Sequence, residues 1–195
     1  LKALMVDVDG VVIRPRAGGW AAELETDLGL SSAVLQDHFF GPNWSDIVLG
    51  RARLRARLEP FLTVHAPRVS AEALIAYWFA KDAHLDHGLL ADLAALRAAG
   101  IQLHLATVQE HERARHLWEV LRLRDRFDAM HYAAELGATK SDPAFYAAVE
   151  ARTGFAPSDL ILLDDTLGNV EAARAAGWGA VHWTGRDRLA DVLPT

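Results

Sequence analysis

Apolar positions follow two different rhythms along this 195-residue chain. At the front, Leu4-Met5-Val6 is a short continuous apolar run that breaks into Asp7-Val8-Asp9-Gly10, the pattern of a buried strand ending in carboxylates and a glycine turn. From about Arg14 to Leu85 only helical signals occur. Trp20 to Leu28 is one segment, stopped at Gly29, and Ser31 or Ser32 caps a second over Ala33 to Phe40 that Gly41-Pro42-Asn43 should end. Arg51 to Leu62 and Ser70 to Lys81 predict two more helices, the latter with Ser70 as N-cap.

After Leu85 strands and helices alternate. Gly88–Ala99 predicts a helix closed by Gly100, and Ile101–Thr107 a strand. Glu110–Leu121 then predicts a helix and Ala129–Ala133 a strand. Asp142-Pro143 opens another helix, and Leu160–Leu163 is a strand running into Asp164-Asp165. Asn169–Ala176 and Ala180–Trp183 complete the series, with Asn169 as helix cap. Such alternation predicts βαβ units and an α/β fold on a mostly parallel sheet. The helical stretch reads as an insertion, so the expected division is 1–13 plus 86–195 against 14–85. Charge supports it: residues 14–85 carry 8 basic and 8 acidic side chains, and the whole net charge of −6 lies outside them.

Composition narrows the function. The chain lacks cysteine, which removes disulfides, thiolate nucleophiles and Cys-type zinc sites. Its acidic balance argues against nucleic acid as a partner. No apolar run is long enough for a membrane span, and Leu1–Val6 is too short for a secretory signal, so a cytoplasmic protein with no membrane partner is expected.

Polar groups gather at the predicted strand ends: Asp7 and Asp9, Thr107, and Asp164 with Asp165, while Lys140 follows the Ala129–Ala133 strand by a loop. In a parallel sheet those ends share one rim. Several carboxylates there repel one another unless cations neutralise them, and an all-oxygen ligand set points to Mg²⁺. The chemistry implied is phosphoryl transfer.

Taken in order, Asp7-Val8-Asp9-Gly10-Val11, Thr107, Lys140 within Thr139-Lys140-Ser141-Asp142-Pro143, and Leu162-Leu163-Asp164-Asp165 with Asn169-Val170-Glu171-Ala172-Ala173 resemble the four motifs of the haloacid dehalogenase-like hydrolases. The resemblance implies a Rossmann-like core with an inserted small helical cap. It implies an aspartyl phosphate formed on Asp7, with Asp9 as acid and then base, and Thr107 and Lys140 on the phosphoryl group. It implies Mg²⁺ held by Asp7, Asp9 through its carbonyl, Asp165, and Asp164 through water. Asp9 favours a phosphatase or phosphomutase over a dehalogenase, since a halide leaves without a proton. Val108 and Ser141 stand where the family commonly has Asn and Pro, and Ala133 where Ser is frequent.

The expected function is therefore Mg²⁺-dependent hydrolysis of a small-molecule phosphate ester. A phosphomutase, a haloacid dehalogenase and a non-enzymatic phosphate-binding protein are the alternatives. Thr107, Val108, Lys140 and Arg14 are the candidate substrate contacts, with Arg16 also near the cleft. Trp20, Phe39, Phe40 and Trp44 read as core, the arginines from Arg51 to Arg57 as solvated surface, and His84, His87, His104, His111 and His116 as structural. Substrate identity and oligomeric state are not written in the sequence.

Overall fold

The computed structural model describes residues 1–186 and 188–193. Its strands are β1 (Ala3–Val6), β2 (Gln102–Thr107), β3 (Ala129–Tyr132), β4 (Leu160–Asp164) and β5 (Gly179–His182). They form one parallel sheet in the order β3-β2-β1-β4-β5. The α/β parallel-sheet expectation holds. Apolar residues alternate between the sheet's two faces, which is why β1 and β4 read as unbroken hydrophobic runs. Leu4, Val6, Ile161 and Leu163 pack with Leu89, Leu90 and Leu93 of the helix His87–Ala98 on one face. Ala3, Met5, Leu160 and Leu162 pack with Phe145, Val149 and Ala173 of the helices Pro143–Thr153 and Leu167–Ala175 on the other. The chain winds outward from β1 through β2 to β3, then returns to β4 on the opposite side. That reversal puts a crevice at the carboxyl ends of β1 and β4.

Residues between β1 and β2 build a separate apolar cluster that includes Leu24, Phe39, Leu54, Phe61, Leu74 and Phe79. Entry and exit of this helical segment lie side by side. Arg14 N–H donates to the His84 carbonyl at 2.8 Å, Asp86 N–H donates to Val12 O at 2.8 Å, and Ile13 bridges Leu85 antiparallel.

Three expected helix limits are corrected, the first being the segment from Trp20, whose helix begins only at Leu24. Gly41-Pro42-Asn43 does not end the second helix: Ser32–Leu35 passes through a π-helical segment, Gln36–Phe40, into Gly41–Val48. The widened turn shifts the hydrogen-bond register just ahead of Pro42, where a missing N–H and a bulky ring would otherwise break the helix. Asn43 contributes by donating its side-chain amide to Phe39 O at 2.9 Å. The next helix is Leu54–His65, so Arg51–Arg53 precede it. Smaller differences are that Ala133 opens the short helix Ala133–Leu136, and that Glu110 is the N-cap of His111–Arg115, accepting from Glu112 and Arg113 N–H. No helix among the described residues is long and apolar enough to cross a membrane.

One buried polar pair has a consequence for stability. His104 on β2 and His131 on β3 are 5% and 4% exposed, with His131 Nε2 and His104 Nδ1 3.0 Å apart. His104 Nε2 faces the Gln102 side-chain oxygen at 3.1 Å, so it carries a proton and its Nδ1 accepts from His131. Burial depresses both pKa values, that of His131 to about 4 with His104 and Arg152 adding to the effect. A depressed folded pKa stabilises the fold above the unfolded value, and that contribution is lost as pH falls from about 6.5 towards 4. The unfolded state then binds the extra proton, with a slope of about 1.4 kcal/mol per pH unit per proton. Urea unfolding from pH 7 to 4.5 should accordingly give a shallower acid slope for His131→Leu than for wild type. Parallel curves would mean that the pair does not titrate on unfolding.

Candidate active site

Four chain segments meet at the crevice. β1 delivers Asp7, β2 delivers Thr107, β4 delivers Asp164, and the loop before Pro143–Thr153 delivers Lys140. Asp7, Thr107, Lys140 and Asp164 are all buried, Asp164 completely. The Lys140 ammonium has three protons and three acceptors: Asp7 Oδ1 at 2.8 Å, Asp164 Oδ2 at 2.5 Å and Ala106 O at 3.1 Å. Val8 N–H donates to the same Asp7 oxygen at 2.8 Å, which leaves Asp7 Oδ2 outside both bonds.

Asp164 is held from the other side as well. Thr166 N–H donates to Oδ1 at 2.8 Å, and the Asn169 amide reaches Oδ1 and Oδ2 at 3.1 and 3.2 Å. This corrects the reading of Asn169 as a helix cap. Thr166 occupies the cap position, and Asn169 lies one turn in with its side chain turned back to Asp164. The Tyr146 hydroxyl joins the carbonyls of Lys140 at 2.8 Å and Asn169 at 3.1 Å, so the lysine loop and this helix are tied together.

Asp165 is exposed, and its backbone carbonyl accepts from His182 Nε2 at 2.8 Å. Its carboxylate lies against Gly10, whose φ is +80° and where a Cβ would come within 2.1 Å of Asp165 Oδ2. Only glycine fits both the conformation and the approach. Asp7, Asp164 and Asp165 each offer an oxygen within 4.8 Å of the others.

The charges do not balance. Three clustered carboxylates stand against one ammonium, which pairs with two of them. Burial pushes Asp7 up to about 7 against the pull of Lys140, with Asp164 adding to the rise. Asp165 is also raised, by burial first and then by Asp164. Burial opposes the Lys140 charge, but Asp7 and Asp164 more than offset it, and its pKa stands above the ordinary value. A negatively charged, all-oxygen cluster of this size suits a hard divalent cation.

Asp9 stands outside that cluster. It is exposed, and Gln109 Nε2 donates to its Oδ2 at 2.6 Å. No sequence signal marks Gln109, yet beside Val108, which stands where the family commonly has Asn, it supplies a polar contact to this loop. Arg14 is engaged by Asp86 at 2.8 and 3.0 Å and borders a cleft of about 550 Å³ with Arg16, Lys81 and His84. Arg51 pairs with Asp46 at 3.4 Å and is exposed.

A hydrolase family described as haloacid dehalogenase-like matches residues 1–177. The chain belongs to the haloacid dehalogenase-like hydrolase family. It is 25% identical over 187 residues to a phosphoglycolate phosphatase of Thiobacillus denitrificans, covering 91% of this chain and 80% of that protein. It is 30% identical over 99 residues to a phosphorylated carbohydrates phosphatase of Thermotoga maritima, covering 49% of this chain and 46% of the relative, less than half its length. Among solved structures, a HAD family enzyme of Bacteroides thetaiotaomicron superimposes with a TM-score of 0.84 at 16% identity, covering 98% of this chain and 97% of that one. The same enzyme in complex with magnesium and inorganic phosphate gives 0.82 at 15% identity, covering 98% of each chain. These structural likenesses speak for the fold.

Lys140→Met should be strongly destabilising in the absence of metal, by about 3–5 kcal/mol, because two buried carboxylates lose their common partner. Adding Asp7→Asn to that variant should restore part of the loss. Urea denaturation in EDTA measures both. A single variant within about 1 kcal/mol of wild type, the range of an ordinary surface change, would contradict the role of the ion pairs.

Proposed function

We propose that this protein is a Mg²⁺-dependent phosphatase of small phosphorylated metabolites. The observation that carries the reading is the arrangement of Asp7, Asp164 and Asp165 around a common point with Lys140 between the first two. The phosphatase relatives and the magnesium and phosphate bound by the Bacteroides enzyme support it. Asp7 and Asp165 would hold the cation directly, Asp9 through its carbonyl and Asp164 through water. When bound, the cation neutralises the excess negative charge and admits an anionic phosphoryl group.

Val8 N–H and Lys140 fix the Asp7 carboxylate through Oδ1, so Oδ2 is the oxygen we assign to attack. In our reading a lone pair of Asp7 forms the bond to phosphorus, and the bond from phosphorus to the ester oxygen breaks. Asp9 protonates that departing oxygen, then takes a proton from the water that opens the aspartyl phosphate. Thr107 and Lys140 steady the phosphoryl oxygens, and Val108 borders them. The presence of Asp9 supports an alkoxide leaving group over a halide. We assign residues 14–85 as a cap over a core of 1–13 and 86–195, part of whose end lies outside the described residues. Its separate apolar cluster and paired connections support the assignment.

A panel of small phosphate esters, with and without Mg²⁺, tests the proposal. Turnover should require Mg²⁺ and be inhibited by Ca²⁺, whose looser coordination would misplace the nucleophile. Asp7→Ala should be inactive yet folded, and Mg²⁺ with beryllium fluoride should raise the melting temperature of wild type but not of Asp7→Ala. Asp9→Asn should slow turnover by roughly 10²–10⁴. Full activity in EDTA, or an active Asp7→Ala protein, would refute the assignment.

A further inference from the structure

We infer that Gln109 is a positioning residue for Asp9, fixing which carboxylate oxygen carries the proton that is transferred. The inference rests on the phosphatase reading above. Its basis is the 2.6 Å hydrogen bond from Gln109 Nε2 to Asp9 Oδ2, between residues 100 apart in the chain. The two ends of this bond differ. Gln109 is 5% exposed, whereas Asp9 lies open to solvent on the loop after β1.

The buried end is anchored on both sides. Gln109 lies two residues beyond Thr107, the last residue of β2, and its carbonyl accepts from Ala134 N–H at 3.1 Å. The next residue, Glu110, caps the helix His111–Arg115 with its carboxylate. Asp9 therefore receives its donor from a fixed point, and its exposed side chain is restrained through one oxygen.

An amide N–H only donates. While Oδ2 accepts it, the proton of the carboxylic acid form belongs on Oδ1. As the bond from phosphorus to the ester oxygen breaks, its electron pair stays with that oxygen, which takes the proton from Oδ1. In the second half Oδ1 receives a proton from the attacking water, and the bond between phosphorus and Asp7 breaks. Without Gln109 the exposed side chain turns freely about its torsions, and neither oxygen is held in line with the leaving group.

The dependence of rate on leaving group separates this role from general stiffening of the loop. An aryl oxygen departs with little help, whereas an alkyl oxygen needs its proton. Gln109→Leu should lower kcat/KM for an alkyl phosphate such as glycerol phosphate by about ten- to a hundredfold, and that for p-nitrophenyl phosphate by no more than about threefold. Gln109→Glu keeps the size and polarity of the side chain but opposes Asp9 with an acceptor, and should reproduce the selective loss. Both variants should keep the rise in melting temperature given by Mg²⁺ with beryllium fluoride, a readout independent of turnover. Asp9→Asn serves as the reference for selectivity. If Asp9→Asn discriminates between the esters while both Gln109 variants slow them equally, or not at all, the inference fails and the phosphatase reading stands. If wild type hydrolyses no phosphate ester, or Asp9→Asn loses both esters alike, the underlying reading fails and takes this inference with it.

Discussion

Lys140 is drawn out of water by three acceptors: the Asp7 and Asp164 carboxylates and the carbonyl of Ala106. They belong to the ends of β1, β4 and β2, so one ammonium joins the three central strands where the crevice opens. Placing a lysine there costs several kcal/mol in lost hydration, recovered only because every proton has a partner. The rest of the site is arranged around that requirement. Tyr146 fixes the lysine's own backbone, Asn169 and Thr166 hold Asp164, and Val8 N–H holds Asp7.

The same arrangement leaves the rim with unspent negative charge. Asp165 is kept apart from the ammonium, propped against Gly10 and anchored through its carbonyl by His182. A fully neutralised site would gain stability but have no reason to recruit a cation or an anionic ester. The fold keeps the imbalance at a strand-end rim, away from the two apolar clusters on either face of the sheet, where it does not loosen their packing.

Local chemistry made much of this readable in the sequence. The runs at Leu4–Val6 and Leu160–Leu163 could be recognised as buried strands because both sheet faces are covered, and the carboxylates follow them directly. The continuation of the helix through Gly41-Pro42 could not. Breaker residues dominate any local reading, and the π-helical segment that accommodates Pro42 leaves no compositional trace. Asn169 looked like a cap because asparagine near a helix start usually is one. Its true partner, Asp164, lies five positions back around the turn. Gln109 was invisible for a different reason: nothing near it announces an acceptor 100 residues earlier.

The paired connections at the base of the helical segment bear on how such a chain can change. Because Val12–Arg14 and His84–Asp86 are hydrogen-bonded neighbours, the gap closed by the intervening segment is only a few ångströms wide. Loop-closure entropy grows slowly with length, so the core is nearly indifferent to how many residues fill that gap. The segment also carries its own apolar cluster and no net charge. The length of this segment is therefore one that can change at little entropic cost to the core, which makes the junction a natural seam for grafting in the laboratory.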